Sequence, residues 1–174
     1  MCSKKTELLT YANFRRELSL EPKKKTTKIV IKITNDDDPL LYDEIGVFSG
    51  EVTSKVAVNH WRRGGDVNRE REWFNPANSG TKANAERDYL LMMNICKNNT
   101  SFIHIRAVAM IEEDDAETRE VDTAGLGGIL DDDEVIIKQT KKALLSELGN
   151  NLREAGVSDD DIKEAMKDVE VEYD

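Results

Sequence analysis

An α+β fold, a small antiparallel sheet with helices packed on it in a single domain, is what this sequence predicts. Three observations carry that expectation. Residues of one apolar face alternate with a second set over 27–34 and 101–111, the period of β-strands. Apolar residues recur at three- and four-residue spacing over 83–98 and 134–156, the period of α-helices. Consecutive predicted strands are joined by short turns, which disfavours parallel βαβ order.

Residues 5–18 place Leu8, Leu9, Ala12 and Leu18 near helical spacing, and PKKK at 22–25 reads as a linker. Residues 1–26 are therefore expected to form a basic N-terminal helix and linker. TKIVIKIT, 27–34, sets Ile29, Ile31 and Ile33 on one strand face, and NDDDP, 35–39, ends it in a turn. YDEIGVFSG and EVTSKVAV, 42–58, read as two short strands around Ser49-Gly50. The polar stretch 60–80 holds both tryptophans and Asn75-Pro76, and reads as a long loop pinned by Trp61, Trp73 and Phe74.

A helix follows over 83–98, with Ala85, Tyr89, Met92, Met93 and Cys96 on its apolar side and Asn98-Asn99 as its stop. In the strand 101–111, Ile103, Ile105, Ala107, Ala109 and Ile111 form one face; Phe102, His104, Arg106, Val108 and Met110 form the other. Two largely apolar faces predict a central strand covered on both sides. EEDDAE, 112–117, is an acidic turn, and 118–123 is the return strand of a hairpin. The long helix 134–156 carries Ile137, Leu144, Leu145, Leu148 and Leu152, with Gly156 as its C-cap. Ser158 and Asp161, at capping-box spacing, open a last helix with Ile162, Ala165, Met166 and Val169 inward. VEVEYD then reads as a tail or an edge strand. The expected division is 1–26, a core over 27–157, and an acidic helix and tail over 158–174.

Charge is the most distinctive property. The 174 residues carry a net charge of -10. Residues 1–32 hold nine Lys/Arg against three Asp/Glu, whereas 112–174 hold 21 acids against seven bases. Such an acidic half repels nucleic acid and anionic membranes, and attracts basic protein surfaces, including those that normally hold nucleic acid. No run of about 18 apolar residues occurs, so no membrane-spanning helix is expected. The N-terminus lacks the apolar stretch of a signal peptide. Two scattered cysteines, Cys2 and Cys96, make no disulfide framework, and a reducing cytoplasm is the expected setting.

No strong catalytic signature is present. AGLGGILDDDE, 124–134, sets Gly125, Gly127 and Gly128 before Asp131, Asp132, Asp133 and Glu134. A phosphate loop is opposed by four negative charges and by the absence of a following lysine. An EF-hand loop alternates its acids, and these are consecutive. The reading that accounts for the stretch is a tight turn into a helix whose positive end the aspartates stabilise, each by about 0.3–1 kcal/mol. The same holds for Asp159, Asp160 and Asp161. His60 stands in a basic, aromatic HWRR stretch, best explained as an anchored loop with solvated arginines. His104 reads as a buried, hydrogen-bonded strand histidine, and its pairing with Cys96 rests on sequence proximity alone. No metal or cofactor is expected.

Residues 87–111 and 123–157 together resemble a group of small uncharacterised phage and mobile-element proteins. In that group an acidic-aromatic helix leads to a strand ending in A-x-A and an apolar residue. A G-L-W-G-I-E-S-D type motif then opens a leucine-rich helix. Here Ala107, Ala109, Gly125, Leu126, Gly128, Ile129 and Asp131 to Asp133 match, while Gly127 replaces the tryptophan and Leu130 the glutamate. The resemblance implies a phage or plasmid origin, hence a bacterial host cytoplasm, and implies no chemistry.

The expected function is a non-catalytic, acidic protein-binding module, in the manner of an anti-defence inhibitor or nucleic-acid mimic. Its partner would be a basic host or phage protein. Asp114, Asp115, Glu117, Asp131 to Glu134 and Asp159 to Asp161 would serve as phosphate surrogates. One alternative is a nucleic-acid-associated accessory protein using Lys23, Lys24, Lys25, Arg62 and Arg63. A further alternative is a small enzyme or nucleotide-binding protein with a site in the 60–80 loop.

Overall fold

The computed structural model describes residues 24–61, 71–112 and 117–174. The expected helix at 5–18, half of the 22–25 linker and the tip of the 112–117 turn lie outside these residues. In chain order the elements are β1 (Lys25–Asn35), α1 (Pro39–Ile45), β2 (Gly46–Ser49), β3 (Val58–Trp61), β4 (Arg71–Pro76), α2 (Lys82–Cys96), β5 (Phe102–Glu112), β6 (Thr118–Asp122), β7 (Leu126–Leu130), α3 (Glu134–Glu154), α4 (Asp159–Ala165) and β8 (Val169–Tyr173). This is an α+β fold. One sheet has the order β6-β5-β1-β8, with β7 also pairing to β5; a second has the order β2-β4-β3. The described residues fall into two compact units, one from 24–33, 105–112, 117–125 and 138–174, the other from 34–61, 71–104 and 126–137.

In the first unit β5 and β6 form the expected antiparallel hairpin, with Val108 opposite Asp122 and Ile111 opposite Arg119. The β1/β8 pair is parallel, from Ile29 opposite Val169 to Ile33 opposite Tyr173. The sheet is thus mixed, and 169–173, left open in the sequence between a tail and an edge strand, is the edge strand. Ile29, Ile31 and Ile33 are buried with Ile105, Ala107, Ala109 and Ile111, as are Leu144, Leu148 and Leu152 of α3 and Ile162 of α4. Each such leucine or isoleucine contributes about 1.5–3 kcal/mol by leaving water. The second face of β5 is only partly covered. Phe102 and Val108 are buried, while His104, Arg106 and Met110 stay half-buried. Arg106 instead lies 3.7 Å from Asp122 across the hairpin. An apolar-looking strand face was therefore read as more buried than it is.

The C-terminus of α3 is closed as its sequence predicts. Gly156 has a φ of +91°, and the Val157 N–H reaches back to the Leu152 carbonyl at 3.0 Å. That backbone turn is costly for any residue with a Cβ.

The second unit departs from the sequence reading in four places. Residues 39–45 are helix α1, where a strand was expected from 42. Asp38 accepts from the Leu40 N–H at 3.0 Å and Pro39 occupies the first turn, a start signal that the turn reading of NDDDP concealed. Residues 51–57 are not a strand. The ends of the supposed 60–80 loop are strands: β4 pairs antiparallel with β2 and β3. Phe74, expected only to pin a loop, is fully buried in β4. Likewise Leu126–Leu130, read as a turn, is strand β7. A Cβ at its Gly127 would displace the Asp36 carboxylate. That carboxylate accepts from the Gly128 N–H at 2.8 Å.

Candidate protein-binding surface

The predicted binding acids fall into different units, and each group is described by itself. Asp114 and Asp115 lie outside the described residues. Glu117 is exposed ahead of β6.

Asp131 to Glu134 belong to the second unit. Here Asp131 works inside the fold. Its Oδ1 accepts from the Thr100 hydroxyl at 2.7 Å and the Ser101 N–H at 3.1 Å, and its Oδ2 accepts from the Ser101 hydroxyl at 2.9 Å. Its own N–H returns to the Ser101 carbonyl at 3.0 Å. The end of β7 is thereby clamped to the residues that precede β5. Thr100, with Ser101 assisting, holds the Asp131 carboxyl below the usual aspartate range. Asp133 caps α3, accepting from the Ile136 N–H at 3.0 Å. Asp132 and Glu134 remain exposed. The stretch does start a helix, but its cap is Asp133 and not Asp131 or Asp132, the two caps the sequence offered; Asp131 makes the clamp instead.

Asp159 to Asp161 open α4 in the first unit. Ser158 caps the helix, its hydroxyl accepting from the Asp161 N–H at 3.2 Å and donating to the Asp161 Oδ2 at 2.6 Å. A glutamate at this position reaches back to the cap's backbone N–H; the shorter aspartate takes the hydroxyl instead. Arg153 Nε donates to Asp159 Oδ1 at 2.7 Å and holds that carboxyl below its ordinary value. Asp160 lies 3.9 Å from Lys163 and its side chain is 100% exposed.

The acidity continues into β8. Between Ser158 and Asp174 there are eight acids and two lysines. Glu164 pairs with Lys167. Glu170 and Glu172 share Lys28, at 2.9 and 3.2 Å, and the Glu170 bond, then the Glu172 bond, raises the lysine's pKa above its ordinary value. These pairs are exposed, so each is worth little in stability. Asp161, Glu164 and Asp168 also line a notch of about 200 Å³ with Lys25 and Thr26. The Thr26 hydroxyl is buried there with no hydrogen-bond partner among the described residues.

The same notch bears on the basic alternative. Lys23, Arg62 and Arg63 lie outside the described residues. Lys25 faces the notch acids, Lys28 faces two glutamates, and Lys24 sits half-buried in a parallel bridge to Val157. Lys25 and Lys28 thus stand beside carboxylates.

In the second unit, His60 is a strand residue. Its Nδ1 lies 3.0 Å from the Tyr89 hydroxyl, and its ring packs on Phe48 at a centroid distance of 4.8 Å. Phe74 and Tyr89 complete an aromatic cluster. An open groove of about 620 Å³ is bordered by Asp43, Lys55, Asn75 and Ser79. Asn75, 3% exposed, has both ends of its amide occupied. It accepts from the Thr53 and Ser54 N–H groups and donates to the Ser49 hydroxyl and the Glu51 carbonyl. It clasps the 49–54 segment and has no amide group left for a ligand. Cys96 is exposed at the end of α2, and His104 lies against the Gly127 backbone.

Sequence reasoning missed the clasp made by Asn75, the pairing of Lys28 with Glu170 and Glu172, and the clamp at Asp131, all of which join residues far apart in the chain. The alternation of VEVEY was the available signal for the edge strand. Among the described residues no helix is long and apolar enough to cross a membrane, and no cluster of three or more His, Cys, Asp or Glu side chains could hold a metal ion. No protein-family model, curated protein or solved structure matches this chain.

Proposed function

We propose that the protein is a non-catalytic module that binds a basic protein surface through its acidic α4–β8 face. One observation carries this reading: eight acids against two lysines between Ser158 and Asp174, on and beside a helix and an edge strand, and every acid there but Asp161 is exposed. Glu117 extends the acidic character of the same unit. Asp132 and Glu134 are available in the other unit, whereas Asp131 and Asp133 serve the fold. A basic partner that normally holds nucleic acid is the natural target of such carboxylates, which act there as phosphate surrogates. The resemblance to phage proteins extends the reading to an anti-defence inhibitor acting in the cytoplasm of a bacterial host.

The test uses the full chain and poly-L-lysine as the basic probe, with duplex DNA in parallel. Binding to poly-L-lysine should weaken at least about tenfold between roughly 50 and 300 mM salt, and again in an Asp160→Lys/Glu164→Lys variant. Poly-L-lysine binding that ignores both changes overturns the proposal. Tight binding of the duplex would favour the nucleic-acid alternative instead.

A further inference from the structure

The outer side of β8 is a row of backbone groups with no strand beside it among the described residues. The Asp174 N–H donates to the Ile33 carbonyl at 3.1 Å. Strand geometry alternates the direction of backbone groups residue by residue. Glu170 and Glu172 therefore direct theirs toward β1, and Val169, Val171 and Tyr173 direct theirs outward. The side chains divide the same way. Val171 and Tyr173 share a face with Ile31 and Ile33, yet are 42% and 74% exposed. Glu170 and Glu172 stand on the opposite face beside Lys28. The segment DVEVEYD, 168–174, has four acids and no base.

We propose that β8 is a docking edge that takes up an extended partner segment with alternating basic and apolar residues, added antiparallel as a further strand of the sheet. This rests on the acidic-binding reading above and names the form of its partner. Main-chain bonds to Val169, Val171 and Tyr173 supply affinity, as in strand addition generally. The basic residues fall opposite Glu170 and Glu172, and the apolar ones cover Val171 and Tyr173. Charge selects the occupant. A second copy of β8 would set Glu170 against Glu172 of its twin, a like-charge pair that destabilises such pairing. A Lys-x-Lys segment meets the opposite charge at both positions.

The experiment uses the full chain and three synthetic peptides: acetyl-Lys-Val-Lys-Val-Lys-Val-Lys-amide, the same composition with the lysines in one block, and the alternating peptide N-methylated at alternate residues. Two N-methylated forms, one for each set, cover both registers. The alternating peptide should bind about tenfold or more tightly than the blocked one, and one N-methylated form should lose that advantage. The amides of Val169, Val171 and Tyr173 should become protected from hydrogen exchange on binding. Val171→Pro, which removes an outward N–H and leaves the bonds to β1, should lose the preference and bind the blocked peptide as the wild type does. If all peptides bind alike with no protection at β8, the docking edge is wrong and the acidic-binding reading survives. If none binds, both fall. A β8-mediated dimer in sedimentation would also overturn the proposal. The N-methylated peptides decide the matter even where Val171→Pro fails to fold.

Discussion

Of the three runs of three aspartates that precede or open helices in this protein, those at 131–133 and 159–161 are used differently. At 131–133 the first aspartate reaches Thr100 and Ser101, some thirty residues back along the chain, and the third caps α3. At 159–161 the first pairs with Arg153 and the third with Ser158, both close neighbours. In each run the middle aspartate is left exposed. The comparison shows that a charge run is not a surface. Helix entry directs the outer members of each triad toward backbone or neighbouring groups, and whether a bond spans the chain depends on what packs alongside. A tertiary clamp holds two strands in register; a local pair holds only a turn that forms with the helix itself.

The largest expected effect follows from that distinction. Asp131→Ala should lower stability by about 1–2 kcal/mol in urea unfolding, because it leaves the Thr100 and Ser101 donors without their acceptor. Asp159→Ala should have a smaller effect; equal losses would break the contrast between tertiary and local pairing. The pH dependence sharpens it further. The Asp131 carboxyl is held below its ordinary value of 3.8 in the folded chain. A group so depressed binds fewer protons folded than unfolded, so its stabilisation is complete above that ordinary value. It is lost as pH falls through the folded value. Thermal melts from about pH 5 down to about pH 2.5 should show a shallower decline in Asp131→Asn than in the wild type.

Next in size are the two caps. Asp133→Ala and Ser158→Ala should each cost about 0.5–1 kcal/mol, measured by thermal unfolding. A much larger loss at Ser158 would mean that α4 carries more of the fold than its short length suggests. The smallest effects belong to the middle residues. Asp132→Asn and Asp160→Asn should both leave stability within about 0.5 kcal/mol of the wild type. They should part in binding: Asp160→Asn weakens association with poly-L-lysine at low salt, while Asp132→Asn changes it less.

Much of the fold was legible in the sequence because its signals are local. Period-two alternation marked β1 and β5, and the leucine stripe marked α3. Gly156 and Ser158 announced a helix end and a helix start. The misreadings share a cause. Short or polar strands such as Leu126–Leu130 and Arg71–Pro76 carry glycine, proline or charge where a strand signal should be. They are strands because of the neighbours they pair with. At the candidate surface, sequence supplied the inventory of acids and could not say which were spent: Asp131 and Asp132, both exposed, look alike until the Thr100 and Ser101 donors are in view.

By itself, then, the sequence determined the α+β class, the long helices with their caps, the buried stripe of β1 and the acidic C-terminal segment. Each depends on residues within one or two turns of each other. Only the tertiary structure decided that β8 lies parallel to β1 at a sheet edge, that Asn75 clasps the 49–54 segment, and that Asp131 is a clamp. Those outcomes join residues twenty to more than a hundred positions apart. Chain closure of that kind is settled by competition among many partners for a few buried places and unpaired backbone groups, and no local pattern records which partner wins.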